Sequence, residues 1–154
     1  MKKIKQFISF VFLLFVFCLG SCDKAGIVRD KQIIERIKNS PRDTRLIGKW
    51  KVGNTNKESE NIFAINFRED AVVERAFPVY DKNNKIAYFK RDKVEIYFYT
   101  ENDSVLNYYT IHYDLFHGSY NSSGYYKINK DTLYLYNSNE QSTGIRDNTI
   151  IIQD

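Results

Sequence analysis

The residues best suited to chemistry in this chain lie around its two histidines. His112 and Asp114 are separated by one residue, so on a strand their imidazole and carboxylate would project from the same side, and His117 follows closely. Two histidines and a carboxylate are a donor set that can bind a metal ion. They are equally ordinary as solvated groups on the polar face of a strand, opposite Tyr109 and Tyr113. We favour this second interpretation and expect neither a metal nor a cofactor.

Other catalytic patterns are missing from the sequence. It contains no glycine-rich phosphate loop, no Gly-x-Ser-x-Gly elbow and no repeated carboxylate pair. Its serines and carboxylates fall mostly in segments that resemble turns. We therefore predict no catalytic residue and expect the protein not to be an enzyme.

The two cysteines, Cys18 and Cys22, lie at the end of an apolar segment. Three lysines near the N-terminus form a basic head, and residues 7–19 are apolar apart from Ser9. A helix that crosses hydrocarbon needs about 20 apolar residues, and this segment is shorter. The pattern is typical of a signal peptide, which we place at residues 1–21.

The four residues Leu19-Gly20-Ser21-Cys22 resemble the lipobox of bacterial lipoproteins. In that family the cysteine thiol receives a diacylglycerol, the signal is cut just before it, and the new amino terminus is acylated as well. The resemblance implies a palmitate-type lipid on Cys22 and a lipidated tether over residues 22–29. It also implies a location in the cell envelope, lipid-anchored to a bacterial membrane, which we expect to be the outer membrane.

Loss of the signal changes both the cysteine inventory and the charge. With Cys18 removed and Cys22 lipidated, no free thiol remains, which excludes disulfides, thiolate metal sites and cysteine nucleophiles. The remaining 133 residues suffice for one core. They carry 20 basic and 19 acidic residues, interleaved along the chain, so no basic face indicates a nucleic-acid partner.

The elements that must position these groups begin with a short helix at residues 30–40. Asp30 offers an N-cap, and isoleucines then recur at helical spacing. Ser40 precedes Pro41, which pushes it out of the helical region and predicts the end of the helix.

From Leu46 onward the period changes from helical to alternating. Apolar and polar side chains alternate in the segments 63–67, 94–99 and 133–136, and turn-forming residues separate such segments at roughly ten-residue spacing. The pattern predicts an all-β domain over residues 46–154, built as an antiparallel up-and-down barrel of about eight strands. A β-sandwich is the alternative.

The segment LIGKWKV, residues 46–52, resembles the Gly-x-Trp entry of lipocalins and of lipocalin-like domains in small bacterial lipoproteins. Segments 67–73 and 126–133 resemble later hairpins of those domains, so the resemblance covers about residues 46–137. It implies a lipocalin-like barrel in which Gly48 allows close backbone approach at the floor and Trp50 plugs that end.

Lipocalins usually also place a basic residue of the last strand over this tryptophan. The tail that follows Arg146 contains none. The resemblance therefore does not identify the strand that closes the barrel, and a partly open barrel stays an alternative beside the sandwich.

Tyrosine is the most unusual feature of the composition, with 12 residues. A tyrosine ring stacks on flat ligands and sugar faces while its hydroxyl binds polar groups, so the strand tyrosines are candidates for a pocket or a partner surface. Strands also favour tyrosine at half-exposed positions without any ligand. The candidates are Tyr97, Tyr99, Tyr109, Tyr113 and Tyr126, with Tyr108 and Tyr125 as further members.

Two classes of function follow from the sequence. In the first, the barrel is a non-catalytic binding domain for a small apolar or glycan-like ligand. In the second, it is a structural or regulatory component of an envelope protein complex and binds no small ligand. An open cavity inside the barrel favours the first class, and a filled interior excludes it.

Two short segments also resemble a modification site. Asp103-Ser104-Val105 and Asp131-Thr132-Leu133 are similar to the Asp-Ser/Thr-aliphatic sequence at which some bacteria O-glycosylate exported proteins. Ser104 and Thr132 each lie where a turn enters a strand. The resemblance implies possible O-glycosylation of these two hydroxyls, although they equally serve as ordinary strand starts.

Overall fold

The computed structural model describes residues 26–54, 62–112, 118–136 and 141–154, and most of these residues lie in β-strands. A 3-10 turn, Thr44–Leu46, precedes the first strand. The strands are β1 (Gly48–Asn54), β2 (Phe63–Phe67), β3 (Val72–Tyr80), β4 (Ile86–Arg91), β5 (Glu95–Glu101), β6 (Val105–His112), β7 (Gly118–Asn129), β8 (Thr132–Tyr136), β9 (Gln141–Arg146) and β10 (Ile152–Gln153).

Eight of these strands close into an antiparallel barrel. Their order around the barrel is β1-β2-β3-β5-β6-β7-β8-β9, and β9 pairs with β1 to complete the circle. Successive strands are neighbours apart from β4, so the chain runs up and down without crossovers. The predicted all-β, eight-stranded barrel of lipocalin-like type is therefore confirmed, and the alternatives of a sandwich or a partly open barrel are wrong.

Strand β3 extends beyond the barrel as one arm of a hairpin. Strands β5 and β4 follow one another along β3, because Val73 pairs with Ile96 and Ala76 pairs with Arg91. Between these two pairings the Asp92 amide donates to the Arg75 carbonyl at 2.8 Å. The first part of β3 thus pairs with β5 inside the barrel, and the later part pairs with β4 in a hairpin that extends beyond it.

Large apolar side chains fill one end of the barrel, which we call the floor. Trp50 is fully buried there, and the rings of Phe67 and Phe98 meet edge to face with 5.0 Å between centroids. Leu106 and Leu133 are buried in the same cluster. A side chain of this size at the first strand closes the end and supplies much of the buried apolar surface.

A smaller apolar cluster lies outside the barrel, formed by Ala64, Ala76, Phe89 and Ile150. It is held by the C-terminal strand β10, which pairs with β4 in parallel. The Phe89 amide also donates to the Ile151 carbonyl at 2.9 Å. The tail therefore covers the β3–β4 hairpin and does not close the barrel.

Residues 26–38 are helical, so the helix includes residues 26–29 of the predicted tether. Asp30 lies within this helix and is not its N-cap. Of the four helical residues that precede Asp30, only Gly26 has low helix propensity, so the helix can begin before Asp30. At the other end, Arg42 Nη1 donates to the carbonyls of Ile37, Lys38 and Ser40, which satisfies acceptors that a helix end leaves open. Among the described residues, no helix has the length and apolar character needed to cross a membrane.

Candidate binding cavity

A cavity of about 350 Å³ occupies the barrel interior on the side away from the floor. Tyr120 and Tyr125, which are 51% and 67% exposed, lie at its edge, so the cavity opens to solvent. Its lining consists of Phe63, Ile65, Val73, Arg75, Ile96, Leu106, Tyr108, Thr110, Tyr120, Ser122, Ser123, Gly124, Tyr125, Leu135, Tyr136 and Ser142. Six of these sixteen residues are aliphatic or phenylalanine.

The apolar side of the cavity comes from β2, β3 and β5. Phe63 and Ile65 alternate along β2 and point inward with Val73 and Ile96, which are directly paired across β3 and β5. Ile65, Val73 and Ile96 are themselves buried and belong to the floor cluster. The cavity therefore continues the apolar core instead of interrupting it.

The opposite side, on β6 and β7, carries hydroxyl groups. The register of these strands pairs Tyr108 with Ser122 and Thr110 with Tyr120, and all four line the cavity. Paired residues on one face of a sheet have Cβ atoms about 5 Å apart, so four hydroxyl-bearing side chains form one continuous patch. We call these four residues the hydroxyl wall.

The hydroxyls of this wall have no hydrogen-bond partner in the part of the chain that the structure describes. Thr110 is buried and Tyr108 is half-buried, whereas Ser122 and Tyr120 are exposed, and burial raises the pKa of the Tyr108 phenol above the ordinary value of 10.0. Buried polar groups in proteins are normally hydrogen-bonded, to water if not to protein. The hydroxyls of the wall can therefore form hydrogen bonds with a ligand in the cavity.

One charged side chain, Arg75, reaches the lining. Its Nε and Nη2 atoms donate to the same carboxylate oxygen of Asp92 at 3.0 and 2.5 Å. Its guanidinium also lies 5.5 Å from the centroid of the Phe77 ring. The positive charge is therefore already paired, at the place where β4 gives way to β5.

The tyrosines chosen from the sequence are spread over several places. Tyr97 and Tyr99 alternate with cavity-lining Ile96 on β5, so they point away from the interior, and the Tyr97 hydroxyl donates to Glu95 at 3.1 Å. Tyr109 is buried but faces the other side of β6 from Tyr108. None of these three lines the cavity.

Tyr126 and Tyr113 complete that set. Tyr126 lies in the floor cluster, and its hydroxyl donates to Asp43 Oδ2 at 2.9 Å. Tyr113 lies outside the described residues, as do Asp114 and His117 of the histidine segment. The ring of His112 stacks on that of Tyr120, with 5.6 Å between centroids. Among the described residues, no group of three His, Cys, Asp or Glu could hold a metal.

Four tyrosines do line the cavity: Tyr108, Tyr120, Tyr125 and Tyr136. Tyr108 and Tyr125 are among the candidates chosen from the sequence, whereas Tyr120, Tyr136 and the serines beside them are not. Tyr125 and Tyr136 pair with each other where the β7–β8 ladder begins, at the edge of the cavity. Their role depends on this register, which composition and spacing do not reveal.

The remaining sequence candidates lie elsewhere. Cys22 is outside the described residues. Ser104 is half-buried in the β5–β6 turn, where its amide donates to the Glu101 carbonyl, and Thr132 is the half-buried first residue of β8. Gly48 and Trp50 both lie at the floor, at the start of β1.

Comparison with known proteins found no matching family model, no matching curated protein and no matching solved structure.

Proposed function

We propose that this protein is a non-catalytic binding protein of the bacterial envelope, which holds a small, largely apolar ligand inside its barrel and is attached to the membrane through lipid on Cys22. The observation that carries the proposal is the open cavity with its apolar side and its opposing hydroxyl wall. Pockets that bind small molecules combine these features: a concave, mostly apolar surface and a few polar groups that fix orientation.

The size of the cavity supports a small ligand. Small-molecule sites span roughly 300–1,000 Å³, and about 350 Å³ lies at the lower end of that range. The filled floor limits depth, because Trp50 and Phe98 have no exposed surface. A ligand would enter past Tyr120 and Tyr125 and stop above the floor cluster.

The proposed location depends on the lipobox-like sequence that ends at Cys22. Two or more acyl chains give stable attachment to a bilayer, since each buried methylene contributes about 0.8 kcal/mol. Palmitate-analogue labelling in the native host tests this part. We expect label on the wild type and none on Cys22→Ala, and labelling of the variant would contradict lipidation at this residue.

The binding function is tested by identifying the small molecules that copurify with the protein. The protein is extracted from host membranes in native-lipid nanodiscs, and its small molecules are identified by mass spectrometry. Ser142→Phe adds a ring to the cavity lining, whereas Thr143→Phe adds the same ring on the other face of β9.

We expect one small molecule to be enriched in the wild type and in Thr143→Phe and depleted in Ser142→Phe. Equal content in all three proteins would contradict a ligand inside the barrel. That outcome would favour the alternative of a component of an envelope protein complex, which needs no small ligand.

A further inference from the structure

The distribution of apolar, hydroxyl and charged side chains in the cavity restricts the chemical class of its ligand. An inference about that class rests on the proposed function. We infer that the barrel selects neutral amphiphiles of about a dozen non-hydrogen atoms, with an apolar body and one hydroxyl or carbonyl group that Tyr108 binds. Three features of the lining carry the inference: the hydroxyl wall, which has no protein partner among the described residues, the paired charge of Arg75, and the apolar side chains on β2, β3 and β5.

The head group follows from the hydroxyl wall. Tyr108 and Ser122 face each other across β6 and β7, and Thr110 faces Tyr120 one pair further along. Within the described residues none of these hydroxyls is bonded to protein, and a wholly apolar ligand would cover the more enclosed pair, Tyr108 and Thr110, without offering their hydroxyls a partner. Such burial costs more than a made hydrogen bond contributes, so a ligand that offers an oxygen at Tyr108 is preferred.

The neutral charge follows from Arg75. It is the one charged residue among the described residues of the lining, and Asp92 accepts two of its donor groups. An anionic ligand would lose its hydration on entering the cavity. Arg75 would not offset this loss, because its charge is already paired with Asp92, so binding of an anion is unfavourable. A cationic ligand would meet the guanidinium itself. A neutral ligand avoids both the desolvation of an anion and the repulsion of a cation.

The body of the ligand follows from the apolar side and from the volume. Phe63, Ile65, Val73 and Ile96 offer no hydrogen-bonding side chain, so a free sugar would bury its outer hydroxyls unpaired against them. A cavity of about 350 Å³ matches about a dozen non-hydrogen atoms, if each takes roughly the 30 Å³ of a water molecule. An alkyl or aryl body with one oxygen fits both limits.

Equilibrium dialysis against the protein in native-lipid nanodiscs tests the inference, with protein-free nanodiscs to subtract partition into lipid. The probes are 4-phenyl-1-butanol, 4-phenylbutyrate, butylbenzene and methyl glucoside, all of about a dozen non-hydrogen atoms. The first three share one body and differ in the head. We expect the alcohol to bind most tightly.

Variants then locate the head group. Tyr108→Phe removes the hydroxyl and keeps the ring, and it should weaken the alcohol about threefold to tenfold while leaving butylbenzene unchanged. Unchanged butylbenzene binding also shows that the variant is folded. Tyr134→Phe removes a hydroxyl from a tyrosine outside the cavity and should change neither affinity.

Several outcomes would overturn the inference. The first is tighter binding of the carboxylate or the glucoside than of the alcohol. The second is an equal effect of Tyr108→Phe on the affinities for the alcohol and the hydrocarbon. The third is that no probe binds. If butylbenzene binds without any preference for the alcohol, the cavity binds ligands but the inferred class is wrong. The extraction experiment with Ser142→Phe decides the broader function independently.

Discussion

The guanidinium of Arg146 lies 4.2 Å from the centroid of the Trp50 ring. Its Nη1 donates to the Ile47 carbonyl at 2.7 Å and its Nη2 to the Arg45 carbonyl, while Trp50 Nε1 donates to the Leu46 carbonyl at 2.7 Å. Three consecutive carbonyls before β1 are thus bonded by two side chains that stack on each other. This arrangement ties the end of β9 to the start of β1, where the barrel closes.

Trp50→Ala tests how much the floor depends on its largest side chain. Because Trp50 is fully buried, we expect the free energy of unfolding to fall by about 3–5 kcal/mol. Urea denaturation followed by far-UV circular dichroism measures this, since the variant lacks the single tryptophan. A loss below about 1 kcal/mol would place Trp50 in a far less packed environment than the structure gives it.

Arg146→Gln tests the stack itself. It removes the cation over the ring and the charged hydrogen bonds to Arg45 and Ile47, so we expect a loss of about 2 kcal/mol and a change in Trp50 emission. Arg91→Gln is the matched control, because Arg91 forms surface ion pairs with Glu74 and Asp154 that contribute about 1 kcal/mol or less. Equal losses in the two variants would contradict a special role for the stack.

Gly48→Ala tests the close approach beside the stack. Gly48 has φ of +124°, a conformation that side chains rarely adopt, and an added Cβ would lie 2.8 Å from Arg146 Nη1. We expect a loss of about 1–3 kcal/mol in urea denaturation. Gly53→Ala, where no atom of the described residues lies within 4 Å of the added carbon, should change stability by less than about 0.5 kcal/mol. A neutral Gly48→Ala would show that Arg146 and the backbone adjust freely.

The fold could be predicted because the strands keep a clear period of two and the turns between them are short. The closing strand could not, because nothing in the local sequence separates Arg146 from the tail that follows it. The structure makes it the last residue of β9, stacked over Trp50, so the strand that closes the barrel ends in a basic residue. The tail instead pairs with β4, a long-range contact that no local pattern indicates.

The cavity was harder to predict because β6 is buried on both faces. Leu106 and Thr110 point inward with Tyr108, yet Tyr109 and Ile111 on the other face are also buried. Alternation in polarity, which normally distinguishes the two faces of a strand, is therefore lost. The choice between adjacent tyrosines depends on the register with β7, which only the three-dimensional structure supplies.

Modification of Ser104 and Thr132 stays a prediction. Both residues follow an aspartate at a turn, and the β5–β6 turn is unusual in that Asn102 and Asp103 both have positive φ. The intact mass of the protein purified from its own host measures the outcome. Glycosylation at these sites predicts a glycan mass beyond polypeptide and lipid that is lost in Ser104→Ala combined with Thr132→Ala. A mass equal to polypeptide plus lipid in the wild type would exclude glycosylation.

Asp43 makes the stability of the floor depend on pH. Burial acts to raise the pKa of its carboxyl, but hydrogen bonds from the Arg45 side chain and amide and from the Tyr126 hydroxyl outweigh this effect and lower the pKa below 3.8. A group whose pKa is lower in the folded state stabilises that state above its unfolded pKa. The contribution is lost as pH falls through the folded pKa.

Urea denaturation of the wild type and Asp43→Asn as a function of pH isolates this contribution from the other carboxylates. We expect the difference in unfolding free energy to be constant above about pH 5 and to shrink progressively below about pH 4, because only the wild type gains a proton at this site as it unfolds. Tyr126→Phe removes one of the hydrogen bonds, which raises the folded pKa of Asp43 and should move the start of the loss to higher pH. Parallel wild-type and Asp43→Asn profiles down to about pH 2 would contradict the assignment, since the stabilisation would then not depend on the charge of Asp43.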